Sequence, residues 1–416
     1  MHLAQGFLLA LTGHALRLGS GMLVFVVLAR TLGPQGFGEF SYALAMATLL
    51  TIPVNWGFGT LVLHRFGQAP EQAQRTMNEV LTARVVLGTV VLCVGLCALP
   101  WLSPRAATLF AALLLAQVCE AFNELYTLGF RAKAQFQQET ITASIVSAWH
   151  IAVMLTAALL WRDAVVAAWA FAASRASGML LTRWRCHRHF GPVHLAPLAH
   201  TPATLRRSWA YALELGLFTT YSQLDSLIIN TVMGPAALGL YQAGMKLNQG
   251  ASRIAPVLAQ LLLPELSRRA ASGDPQQPFG RYAMRTVAVF AAIGIAGASV
   301  LIINPAWLAA TLFGDAYAGL PPLLPLFGAM LCMQFIETGA GLTLVARGLQ
   351  GRKVWLVAAQ LLTLLALGTL MLQHHGLPGW QLTHIASMAA LVLGYGWLHW
   401  RHRRHAPHPH PPQHPQ

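Results

Sequence analysis

Twelve stretches of about 20 mostly apolar residues follow one another along the chain, each long enough to cross a ~30 Å hydrocarbon layer as an α-helix. They lie near residues 5–29, 38–63, 79–101, 106–130, 138–161, 164–182, 209–233, 236–264, 283–304, 320–346, 354–373 and 378–400. With 56% apolar and 10% charged residues among 416, the chain has too little polar surface for a large soluble protein. The first stretch is too long for a cleaved signal peptide and is followed by no small-residue cleavage site. The expected fold class is an all-α, multi-pass membrane protein.

Part of the chain is written twice. Leu32-Gly33-Pro34-Gln35-Gly36-Phe37-Gly38-Glu39-Phe40 returns 201 residues later as Met233-Gly234-Pro235-Ala236-Ala237-Leu238-Gly239-Leu240-Tyr241, and Arg84 and Arg285 share that offset. Each Gly-Pro falls in a short gap between two long apolar stretches. Proline starts a helix well and glycine permits a tight reversal, so one copy alone would say little. Two copies at a constant offset predict six spans per half. Six is even, so both halves enter the membrane in the same orientation, and the predicted architecture is two six-helix bundles related by a pseudo-two-fold axis along the membrane normal. Residues 1–182 form the first bundle, 183–208 a basic linker with three prolines, 209–400 the second bundle, and 401–416 a disordered His/Pro-rich tail.

A net charge of +14 does not indicate a nucleic-acid partner, because the 27 Lys and Arg residues sort by side. With the N-terminus cytoplasmic, nineteen fall in loops and tail on that side, and Arg30, Arg105 and Arg162 fall on the other. Both termini are therefore expected on the cytoplasmic side of the membrane. Four of the five cysteines lie within spans, where apolar packing accounts for them. Cys186-His187-Arg188-His189 lacks a second ligand pair and is flanked by arginines, so neither a metal nor a cofactor is expected. The longest external segment, 305–319, offers Asp315 as its sole ionisable group, too little for an outward-facing catalytic site. An enzyme is not expected.

Charges inside the membrane cost roughly 2.5–3.5 kcal/mol each on insertion scales and so need a polar cavity or a partner. Gln242, Lys246, Gln249 and Arg253 follow a four-three-four spacing, which lines them along one face of a single helix. His14 and Arg17 lie three apart in the first span. These six are the candidate substrate-binding residues. Arg17, Lys246 and Arg253 suit an anionic ligand such as a diphosphate, which arginine grips with a planar fork and lysine with a point charge. Glu120 and Glu124 share a stripe with Gln117, Glu214 and Asp225 share another with Tyr221, and Glu337 follows Gln334. These five carboxylates are candidates for proton or sodium coupling or for gating; pairing across helices is their structural alternative.

The repeat, Trp56-Gly57-Phe58-Gly59, Asp225-Ser226-Leu227-Ile228-Ile229, Pro264-Glu265-Leu266-Ser267 and Leu312-Phe313-Gly314-Asp315-Ala316-Tyr317 resemble the Wzx-type polysaccharide biosynthesis protein family. That family belongs to the exporter superfamily that also holds multidrug and toxin extruders and lipid II flippases. The resemblance implies alternating-access flipping of undecaprenyl-diphosphate-linked oligosaccharide units across the bacterial inner (cytoplasmic) membrane, for capsule, O-antigen or exopolysaccharide, with membrane lipids, a polymerase and glycosyltransferases as further partners. Two alternatives are a cation-coupled drug extruder and a multi-span polymerase or ligase.

Overall fold

The computed structural model describes residues 2–272 and 279–404, and side chains within 21–69, 71–271 and 279–401. The described residues are helical, with no strand among them. Helix α1 (His2–Leu50) is broken at Gly33, and α2 (Ile52–Asn55) and α3 (Phe58–Gln68) complete the second span after a 46° bend. That bend falls at Thr51; Trp56 and Gly57, both left-handed, separate α2 from α3, so the Trp-Gly-Phe-Gly motif is a break rather than a helix interior. Four spans follow: α4 (Ala73–Ala98), α5 (Pro104–Ala132), α6 (Phe136–Trp161) and α7 (Ala164–His189).

Next come α8 (Thr201–Met233), α9 (Pro235–Ser252) and α10 (Ile254–Ser272). The expected single helix over 236–264 is therefore two helices meeting at Arg253, the one described residue between them. After α11 (Phe279–Ile303), the segment expected as a long external loop is mostly the short helix α12 (Pro305–Phe313) and a turn, Asp315–Tyr317. Helices α13 (Leu324–Ala346), α14 (Gln350–Thr363) and α15 (Thr369–Arg404) complete the chain, with a π-helical turn at Leu364–Gly368 and a break at Gly376. At 1.5 Å per residue, the 49 residues of α1 and the 52 from Gln350 to Arg401 are each far too long for one crossing, and their glycine breaks make two spans of each. Counted in this way the described residues form twelve helical spans, and the chain is a multi-pass membrane protein. The proposed tail lies outside the described residues beyond Arg404.

Packing yields two compact units. One holds the described residues through Lys246 together with Ala309–Ala318; the other holds Leu247–Leu308 and the described residues from Gly319 onward. The cut falls inside α9, downstream of the 183–208 stretch, because α8 packs along α1, α3 and α4. That stretch is also far from loose. Helix α7 reaches His189 and α8 begins at Thr201, and the segment between them is fastened to α4. Gln74 donates to the Pro192 carbonyl at 2.5 Å, and Asn78 and Thr82 accept from the His194 and Ala196 amides at 3.0 and 2.7 Å. Bonds to one helix from three alternate backbone positions satisfy polar groups that a free loop would leave to water.

The first unit has an apolar core where α3, α4, α5 and α7 meet, around Phe58, Val62, Met77, Leu125 and Phe130. A smaller core in the second unit joins α13 to α15 through Leu344, Leu391 and Tyr395. At the opposite end of the first unit from its Phe58 core, Arg105 holds Glu39 at 2.9 Å and Asp163 at 3.4 Å. All three side chains are partly exposed, so this junction contributes at most about 1 kcal/mol.

Candidate functional site

The two copies of the repeat have the same backbone. Gly33 has φ 66° and ψ 175°, Gly234 has φ 84° and ψ 176°, and in each the proline that follows opens a helical segment. Positive φ is easily reached only without a Cβ, which explains the glycine in both copies. Five residues further on, Gly38 and Gly239 bring the copies together. A Cβ on Gly38 would sit 1.7 Å from the Pro235 carbonyl oxygen, and one on Gly239 would sit 1.9 Å from that of Pro34. The contact is thus reciprocal, glycine of each copy against proline carbonyl of the other. Phe37, Phe40, Leu238 and Tyr241 are fully buried around it. Residues 309–318 join the same end: Arg30 donates to the Thr311 carbonyl at 2.7 Å, and Phe313 and Tyr317 are buried with their rings 5.3 Å apart.

Beneath this closure the first unit encloses a cavity of about 140 Å³. Helix α1 contributes Phe25, Ser41 and Thr48, α5 Gln117, α7 Phe171, α8 Gln223, and α9 Gln242 and Lys246. Among the described residues lining it, Lys246 is the one that carries a charge. Its ammonium lies 4.4 Å from the centroid of the Phe25 ring, whose face favours a cation. Gln242 donates to Ser226 at 2.7 Å and Gln117 to Thr48 at 2.5 Å, so the amides are fixed by neighbours on other helices or the far side of a turn. An ammonium, three carboxamides and hydroxyls form a lining that suits an oxygen-rich anion or a sugar. No carboxylate is among the described residues that line it.

Of the predicted basic stripe, this cavity takes Gln242 and Lys246. Gln249 follows on the same helix, α9, and Arg253 is exposed at the break that ends it. His14 and Arg17 lie on α1, and their side chains are outside the described ones. The carboxylates are dispersed. Glu120 pairs with Arg175 at 3.2 Å, Asp225 accepts from Tyr241, Glu124 and Glu214 are exposed, and Glu337 in the second unit accepts from Tyr395 at 3.5 Å. Sequence reasoning missed Ser41, Thr48 and Gln223. Thr48 also donates to the Leu44 carbonyl, as hydroxyls in apolar helices commonly do, so it leaves no distinguishing pattern. Gln223 was visible as an amide in mid-span, two residues from Asp225.

Arg84 and Arg285, alike in sequence offset, differ in place: Arg84 is 1% exposed and Arg285 is exposed. The Arg84 Nε and Nη1 have no hydrogen-bond partner among the described residues, and its guanidinium carbon stands 5.9 Å from the Phe58 ring centroid. Glu124 offsets the buried charge but is itself exposed and can be solvated without its partner, so with two nitrogens left unbonded, replacing Arg84 by an apolar residue of similar length is expected to be neutral or stabilising. Arg84→Met should therefore melt at or above the wild-type temperature in detergent; a clear fall would show that the guanidinium is a structural anchor.

The fold is shared with solved transporters. A lipid II flippase, MurJ, in an inward closed conformation aligns with a TM-score of 0.74 at 10% identity, over 94% of this chain and 87% of that one. An inward-facing MATE-family multidrug resistance transporter of the MOP superfamily aligns at 0.69 and 14%, over 92% and 94%. The multidrug transporter DinF-BH, solved with R6G, aligns at 0.67 and 14%, over 95% and 94%. No curated protein matches the chain in sequence. The sequence pattern of the family described as "Polysaccharide biosynthesis protein" matches residues 3–269, and the chain belongs to that family, with the fold of the MOP superfamily.

Proposed function

We propose that this protein is a membrane transporter that flips undecaprenyl-diphosphate-linked oligosaccharide repeat units from the cytoplasmic to the periplasmic face, for capsule, O-antigen or exopolysaccharide assembly. The observation that carries this reading is the Lys246 cavity, a polar pocket with a cation and three amides inside an apolar helical unit. Family membership supports the polymer, and the fold supports the movement. At about 140 Å³ the cavity is smaller than the ~300–1,000 Å³ of ordinary ligand pockets, so it accommodates a phosphoryl group and must widen for an oligosaccharide. The contact between the Gly33 and Gly234 turns closes one end of the unit, the end that the charge count assigns to the periplasm. Release of the head group then requires these turns to part, which is alternating access in its simplest form.

Asp225 and Glu120 remain the carboxylates best placed to couple a proton or sodium ion, each through the partner it already holds, Tyr241 or Arg175. A drug extruder for cations would be better served by a carboxylate in the cavity wall than by Lys246. The decisive measurement is sidedness. Cells lacking the protein should accumulate the lipid-linked repeat unit in the cytoplasmic leaflet, scored by protection from an externally added glycosidase or lectin. Unchanged sidedness would refute the proposal.

A further inference from the structure

A second cavity of about 140 Å³ opens at the other end of the first unit, between α3, α4 and α8. It shares no residue with the Lys246 cavity. Arg65 from the last turn of α3, Arg75 from the first turn of α4 and Arg207 from the second turn of α8 line it. Glu79 stands among them, bonded to the Arg75 Nε at 3.0 Å and lying 3.9 Å from an Arg207 nitrogen. Its side chain is 13% exposed, whereas those of Arg75 and Arg207 are 71% and 55% exposed. The carboxylate is thus drawn inward and steadies two guanidiniums that stay open to a ligand.

Three guanidiniums against one carboxylate leave an excess of positive charge in a confined space. Two helix starts add to it, since α4 begins at Ala73 and α8 at Thr201, and the first turns of both line the cavity. Unpaired amides and the positive end of the helix dipole favour an anion at such places. Guanidinium forks match phosphoryl oxygens in geometry as well as charge. The volume suits one phosphoryl group rather than an extended polyanion. All three arginines lie on the side that the charge count assigns to the cytoplasm.

We propose that Arg65, Arg75 and Arg207 form a second anion site, which binds a single phosphoryl or pyrophosphoryl group at the inner surface, supplied by an anionic lipid or by a dissolved phosphorylated compound. The test uses the purified full-length protein in two arms. In detergent, inorganic pyrophosphate is titrated by calorimetry; in nanodiscs, melting is compared in phosphatidylglycerol and phosphatidylcholine. Saturable pyrophosphate binding without a phosphatidylglycerol effect identifies a dissolved ligand, and the reverse identifies a lipid. In whichever arm responds, Arg65→Gln and Arg207→Gln should weaken the effect at least tenfold, with Arg207→Lys intermediate because it keeps the charge and loses the fork. Arg188→Gln, on an exposed part of α7 away from the cavity, should behave as wild type. The proposal is overturned if neither arm responds, if the cavity variants match wild type, or if Arg188→Gln loses as much as they do.

Discussion

Gly38→Ala or Gly239→Ala abolishes the closed contact between the two Gly-Pro turns and reduces export at least tenfold. The new methyl group would stand 1.7 or 1.9 Å from a carbonyl oxygen of the opposite turn, whereas carbon-to-oxygen contacts settle at about 3.3–3.6 Å. Backbone on both sides would have to retreat by more than 1 Å, and no flexible side chain is there to yield. Overpacking of this kind costs about 1–3 kcal/mol, and 1.4 kcal/mol is already a tenfold change in an equilibrium. The alternative is for the turns to stay apart, which leaves the protein folded but trapped on one side of its cycle. Labelling tells these outcomes apart. In a cysteine-free background, a cysteine replacing the fully buried Leu238 should react with a membrane-impermeant maleimide at least tenfold faster when Gly38 is alanine. Unchanged labelling and normal export would show that the contact has no part in transport.

Lys246→Met should lower export at least tenfold while protein level holds or rises. Methionine keeps the length of the side chain and removes a charge whose insertion costs roughly 2.5–3.5 kcal/mol, so a loss of folding is not the expected route to failure. What is lost is the one charge described in the cavity lining, and with it the attraction for an anionic head group. Lys246→Arg should retain part of the activity because it keeps the charge while changing its shape. Phe25→Leu gives a graded check. A cation–π contact is worth about 0.5–1 kcal/mol at partly exposed sites, so its removal should reduce export two- to five-fold without altering expression. Normal export from Lys246→Met would remove this cavity as the anion site and leave the fold assignment untouched.

Much of the fold was legible because membrane helices declare themselves locally. Length and apolarity place the spans, and Gly33-Pro34, Gly234-Pro235 and Gly376-Leu377-Pro378 mark reversals by residues whose backbone preferences need no tertiary context. The break at Arg253 went unread although its cause is local: Pro256 has no N–H to give the Ser252 carbonyl and its ring crowds that oxygen, so one regular helix cannot run through 252–256. That break separates Arg253 from the helix that carries Gln242, Lys246 and Gln249. Burial was hidden. Arg84 and Arg285 occupy equivalent places in the repeat, yet what surrounds each side chain is set by helices distant in sequence. Trp56-Gly57 was visible as a motif, but its role as a break, with the Trp56 indole donating to the Leu205 carbonyl at 3.2 Å, depends on α8 being alongside.

The short segment Ala309–Ala318 belongs to the first unit although the chain on either side of it belongs to the second. Its place in the order of synthesis has a consequence for assembly. A ribosome that has made the first six spans, and even α8 and the start of α9, has not yet made all of the first unit. Completion waits until residue 318 has emerged, after α11 has been inserted. Domains ordinarily fold as contiguous units during synthesis. Here the partner of Arg30 arrives 281 residues late, so the end of the molecule that carries the turns is sealed only when three-quarters of the protein is already in the membrane.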